Sequence, residues 1–251
     1  MGATSAAVIL LSLLSCVTTY LGVELALRVR ENAHAVAVGI GFSAAIMILI
    51  SALELIPESI AAQGARTTLA AVGAGVALVW AADLVVPHIH LVAESGAASS
   101  ALARTAGLVV FGLILHDVPE GFAMANAYLA SPELGVLVAL AIALHNLPEE
   151  FAMCVPLVML KSRRALLRGA LLSALAEPAG AILGLAAVGV VPALHPFFLA
   201  FAAGAMLFVS VHELLPLAKR YGHMGWSAFG MLLGLLAYAV LAALTVGVGI
   251  P

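Results

Sequence analysis

Eight long apolar runs, separated by short polar or charged stretches, fill this chain almost from end to end. A helix needs roughly 20 mostly apolar residues to cross a hydrocarbon core, and unpaired backbone in lipid is too costly for open sheets or loops. The pattern therefore predicts an all-α membrane protein of eight transmembrane helices. The spans fall at about 3–27, 35–57, 68–87, 105–129, 134–160, 165–190, 194–218 and 225–249, with a cytoplasmic loop over 88–104. Residues 1–251 then form a single transmembrane domain. The first run has no basic residue ahead of it, so it lacks the charged region of a cleavable signal peptide and reads as a retained helix.

Composition agrees with the pattern. Of 251 residues 64% are hydrophobic and 9% charged, and the mean hydropathy is +1.19, far above soluble domains. Cys16 and Cys154, the only cysteines, both lie inside spans, which leaves no disulfide framework and no cysteine-rich zinc motif. The net charge of −3 and the thin scatter of basic residues give no nucleic-acid surface. Their placement is informative in another way. Arg28, Arg30, Arg104, Lys161, Arg163, Arg164, Arg168, Lys219 and Arg220, nine of the ten basic residues, fall at odd-numbered connections, and Arg66 alone falls on the other side. Short loops rich in Lys and Arg stay in the cytoplasm, so both termini should face outward.

Candidate chemistry sits inside the spans. "LHDVPEGFAM" at 115–124 and "LHNLPEEFAM" at 144–153 superimpose on a 29-residue shift that aligns His116 with His145 and Glu120 with Glu149. The link between them is only long enough for a turn, so helices 4 and 5 are antiparallel neighbours. At about 100° per residue, the His and Glu of each phrase lie one turn apart on one face. Asp117 and Asn146 lie on the adjoining face. Pro119 and Pro148 should kink the two helices near Leu115 and Leu144. Helix 6 adds Glu177 before Pro178, near the centre of its span.

An acid at a helix centre costs roughly 2.5–3.5 kcal/mol on an insertion scale, so Asp117, Glu120, Glu149 and Glu177 in isolation would cost on the order of 10 kcal/mol. Protonation or a bound cation must offset this. Histidine nitrogen with carboxylate oxygen, and no thiolate, suits zinc or another divalent first-row ion. Two histidines and four carboxylates exceed the needs of one tetrahedral ion, which suggests two adjacent ions bridged by Glu120 or Glu149.

At these residues the chain resembles the ZIP (Zrt/Irt-like) family of metal transporters, most of all its prokaryotic branch of GufA- and ZupT-type members. The resemblance covers essentially the whole chain: eight spans, the His-x-x-Pro-Glu phrases of helices 4 and 5, and the Glu-Pro of helix 6. It implies a binuclear centre with His116, Glu120, His145 and Glu149 at the principal site, and Asp117, Asn146 and Glu177 at the adjoining one. It also implies a three, two and three arrangement of helices with a pseudo-two-fold inverted repeat, an elevator-like motion of helices 1, 4, 5 and 6, and residence in the plasma membrane of a prokaryote. Two positions depart from the family pattern: Asp117 stands where Asn is frequent, and Glu150 where a small Gly is usual. Glu150 lies one turn beyond Asn146, where it is a candidate ligand or pathway charge.

Further polar groups lie off the centre. Glu54 and Glu58 of helix 2 are placed toward the external mouth, and His212 and Glu213 of helix 7 toward the cytoplasmic exit, as stations of a route. In the 3–4 loop, His88 and His90 resemble a short remnant of the family's His-rich segment. Met47 matches a helix 2 position that approaches the site in relatives, although a core role suits a methionine better.

The function expected is import of divalent metal ions, zinc first, with iron, manganese, cobalt or cadmium as alternatives. The metal is substrate, and neither an organic cofactor nor catalysis is expected. The rival readings are an intramembrane zinc-dependent hydrolase, which lacks a His-Glu-x-x-His phrase, and a proton-coupled carrier of an organic substrate. The partners are then metal ions and membrane lipid. Helices rich in Gly and Ala also allow a homodimer.

Overall fold

A backbone in lipid has no water to bond, so its N–H and C=O groups must pair within the segment. In the computed structural model, which describes residues 2–29, 32–85, 117–158, 163–220 and 224–248, the regular elements are accordingly all helical, with no strand among the described residues. The helices are α1 (Gly2–Val29), α2 (Ala33–Gln63), α3 (Ala65–Val85), α4 (117–130), α5 (Pro132–Val158), α6 (163–190), α7 (192–220) and α8 (Met224–Val248). All but α4 are long and apolar enough within the described residues to cross a membrane. For α4, the described part is shorter than a span.

The links are tight and chemically marked. Asn32 caps α2, its side-chain oxygen accepting from the Ala35 N–H at 3.1 Å. Gly64, with φ of 82°, turns the chain from α2 into α3. Ser131 joins α4 to α5 and accepts from the Leu134 N–H at 3.1 Å.

Prolines shape the helices in three ways. In α6 the helix stops at Ala174, turns at Leu175 and restarts at Ala176. Pro178 explains this, because its ring clashes with the carbonyl four residues back, at Ala174. The span is thus interrupted at one residue and bridged there by the Leu175 and Ala179 N–H groups bonding the Leu171 and Leu175 carbonyls, and Glu177 sits in the first turn of the second segment, where the helix dipole favours a negative charge. In α2 and α7 the same clash is relieved without a break. Each opens into a π turn, Ser51–Leu55 before Pro57 and Ser210–Leu214 before Pro216. The Ile56 N–H bonds the Ser51 carbonyl and the Leu215 N–H bonds the Ser210 carbonyl, five residues back in both cases. Helix α5 remains helical through Pro148. The kink expected near Leu115 lies outside the described residues.

Helices α2 and α5 are the most buried spans and α3 and α8 among the least. Ile40, Ile46, Ile50, Ile142, Leu199 and Met206 are fully enclosed, while Leu10, Leu69, Leu84 and Leu236 point outward. Lipid tails are as apolar as leucine, so close packing rather than water exclusion holds such helices together. Glycine makes that packing close. A β-carbon at Gly121 of α4 would collide with the Glu177 carbonyl, and one at Gly180 of α6 with the Val118 carbonyl. The backbones of α4 and α6 therefore touch beside the candidate site.

Candidate metal centre

The α4–α5 antiparallel pair brings Glu120, His145 and Glu149 to one point. Each offers a ligand atom, and these atoms lie within 4.8 Å of one another. All three side chains are buried, Glu120 and His145 completely. One turn of α5 separates His145 from Glu149, so both project from the same face, and Glu120 approaches from α4.

The imidazole is aimed. His145 Nδ1 lies 2.9 Å from the Ala141 carbonyl, which can only accept, so Nδ1 carries the proton. The other nitrogen, Nε2, faces the carboxylates, 3.1 Å from Glu120 Oε1 and 3.8 Å from Glu149 Oε2. A lone-pair nitrogen so close to carboxylate oxygens is stable only with a proton or a cation between them. Ligands held roughly 2.0–2.2 Å from a zinc ion lie within about 4.4 Å of one another, so the group needs little adjustment to close on one ion. A carbonyl that fixes the tautomer of a ligating histidine is a common outer support of metal sites.

A second polar layer adjoins the first. Asn146 Nδ2 donates to Glu177 Oε2 at 3.1 Å, tying α5 to α6. The Ser173 hydroxyl of α6 donates to Asp117 at 2.5 Å and lies 3.3 Å from Glu150 Oε1. Cys154 Sγ is 3.9 Å from Glu150 Oε2. Relative to the first group, Asp117 is earlier on α4, Glu150 later on α5 and Ser173 earlier on α6 than Glu177. With α5 antiparallel to its neighbours, all three shifts point toward the same end of the bundle.

Residues 88–243 match the sequence profile described as ZIP Zinc transporter. The chain is 37% identical to the zinc transporter ZupT of Corynebacterium aurimucosum, over 96% of this chain and 98% of that protein. The chain belongs to the ZIP zinc transporter family. Two further relatives carry the same name: the protein of Chlorobium luteolum, 36% identical over 93% of this chain and 96% of its own length, and that of Escherichia coli O81, 34% identical over 96% and 98%.

The remaining candidates of this ZIP chain lie elsewhere. Met47 is buried, and its sulfur lies 3.5 Å from the Ser210 hydroxyl of α7, which donates to the Met206 carbonyl at 2.8 Å. Glu54, in the α2 π turn, accepts from the Tyr238 hydroxyl of α8. Glu54 and Glu58 line a cavity of about 360 Å³ together with Glu133, Ser131, Leu134, Leu137 and Thr245. His212 stacks on Phe208, ring centroids 4.7 Å apart, in the π turn that also holds Glu213. His116, His88 and His90 lie outside the described residues.

Three contributors escaped the sequence reading. Ser173 sits four residues before Glu177, a one-turn spacing that places it on the acid's face. Glu133 falls in the short link between the two phrases, and only the packing of α2 and α8 against α5 reveals the cavity it shares with Glu54 and Glu58. Ser43 of α2, whose hydroxyl donates to the His145 carbonyl at 2.9 Å, carries no local signal, because a lone serine in an apolar helix is ordinary.

Proposed function

We propose that this protein carries divalent transition metal ions, zinc first, across the plasma membrane of a prokaryote into the cytoplasm. The observation that carries the reading is the buried convergence of Glu120, His145 and Glu149 in a chain whose near full-length relatives are named zinc transporters. Buried carboxylates and an imidazole nitrogen replace the water that an ion sheds on leaving solution. His116, four residues before Glu120 in the sequence, completes the donor set in this reading.

A second ion is held by Asp117, Asn146 and Glu177, with Glu120 or Glu149 as the bridge. Four carboxylates then balance two divalent charges, which removes the cost of burying them. The helices form a three, two and three arrangement related by a pseudo-two-fold axis. The Ser-x-x-Glu-Leu-x-Pro phrase shared by the π turns of α2 and α7 supports that repeat. Transport proceeds by an elevator-like displacement of α1, α4, α5 and α6, with the acid-lined cavity at Glu54, Glu58 and Glu133 as the outer mouth. An intramembrane hydrolase gains no support from these relatives.

The test is zinc influx into proteoliposomes, read by an internal metal-sensitive dye. Wild type should fill the vesicles, while Glu149→Ala and His116→Ala should reduce influx to the protein-free rate yet elute as folded protein. Wild-type influx in Glu149→Ala would exclude this site. An absence of influx for wild type with zinc, iron and manganese alike would exclude transport.

A further inference from the structure

We infer that Ser43 of α2 is a positioning residue for the metal site, holding the α5 turn that carries His145 and Glu149; the inference rests on the metal-binding reading above. Ser43 and His145 are both completely buried, and the Ser43 hydroxyl donates to the His145 carbonyl at 2.9 Å. Within a helix that same carbonyl accepts the N–H of Glu149 four residues on. One oxygen thus gathers the backbone of both ligand-bearing residues and a hydroxyl from another helix.

Serines and threonines in apolar helices usually bond back to their own preceding turn. Ser12, Ser15, Thr18 and Thr245 do so here, to Ile9, Ser12, Ser15 and Leu241 respectively. Ser43 instead reaches across to α5. It does so where α5 is weakest, since Pro148 has no N–H for the Leu144 carbonyl and the ladder lacks one bond beside His145. The Ser43 bond restrains the backbone one residue from that gap.

The approach of the two helices leaves little slack. One turn before Ser43, a β-carbon at Gly39 would lie 2.8 Å from the Pro148 carbonyl and 3.3 Å from its Cβ, so the backbones are already in contact. One turn after Ser43, Met47 is buried against α7, its sulfur 3.5 Å from the Ser210 hydroxyl. Ser43 therefore projects from a face packed closely on α5, which makes it a reference for the ligand turn in the conformation this structure holds, before any displacement of α5 along α2. Partners bonded directly to a ligand side chain are typically worth 10- to 100-fold in metal affinity, and Ser43 acts one step further out, through the backbone that aims the ligands.

The experiment compares wild type, Ser43→Ala and Ser43→Thr. Zinc affinity is read by calorimetry on purified protein, and the zinc dependence of influx is read in proteoliposomes. Ser43→Ala should weaken affinity and raise the half-saturating zinc concentration by about tenfold with maximal influx unchanged. Ser43→Thr, which keeps the hydroxyl, should restore both. Wild-type affinity in Ser43→Ala, or a threonine variant as impaired as the alanine one, would overturn the role. The two readings fail separately. Wild-type protein that binds zinc with a Ser43-dependent affinity but moves none excludes transport alone, and saturable influx insensitive to Ser43→Ala excludes the positioning role alone.

Discussion

Glu149 and Glu54 are both glutamates in apolar helices, and their neighbours give them different work. Glu149 is buried beside an imidazole nitrogen and a second carboxylate, so keeping a charge there requires a neighbouring cation. Glu54 is half-buried, shares an open cavity with Glu58 and Glu133, and accepts from Tyr238. On the proposed route its charge would draw cations toward the mouth. Such charges are worth at most about 1 kcal/mol and are screened by salt. Glu54→Ala should therefore raise the half-saturating zinc concentration by no more than about fivefold, and the effect should shrink as ionic strength rises. A zinc dependence identical to wild type at low salt would take Glu54 off the route.

At the scale of elements, proline and glycine determine where the polar side chains end up. Pro178 breaks α6 and places Glu177 at a helix start, while Pro57 and Pro216 open π turns that hold Glu54 and Glu213. Gly121 and Gly180 let α4 and α6 cross in backbone contact, which brings Ser173 within reach of Asp117. Gly121→Val would set a branched side chain against the Glu177 carbonyl and push the helices apart. Overpacking of this kind costs typically 1–3 kcal/mol, so the variant should melt at lower temperature and lose zinc affinity together. Unchanged melting and binding would mean that the crossing is looser than the structure has it.

Across the whole molecule, the basic residues at alternate helix ends predict how the bundle is oriented. Arg28, Arg164 and Lys219 are exposed at the ends of α1, α6 and α7, the side expected in the cytoplasm. With Cys16 and Cys154 replaced by alanine, a cysteine at Gly2 should react with a membrane-impermeant maleimide on intact cells. A cysteine at Arg164 should react only after the membrane is opened. The reverse pattern would invert the topology and with it the direction assigned to the mouth at Glu54.

Helical class and membrane residence were legible from the length of the apolar runs, and the core of the candidate site from helical spacing. Long apolar runs have one inexpensive backbone solution in lipid, and a repeated His-x-x-x-Glu phrase places both groups on one helix face wherever that helix packs. Glu120, His145 and Glu149 could be named for that reason. Local pattern does not reach across helices, so the partners of those residues required the tertiary structure. Ser43 gripping the His145 carbonyl, Ser173 between Asp117 and Glu150, and Glu133 beside Glu54 are contacts between distant segments. Whether a proline breaks a helix, opens a π turn or leaves it helical was also decided there: Pro178, Pro57 and Pro148 impose the same local clash, and the surrounding packing selects how the backbone relieves it.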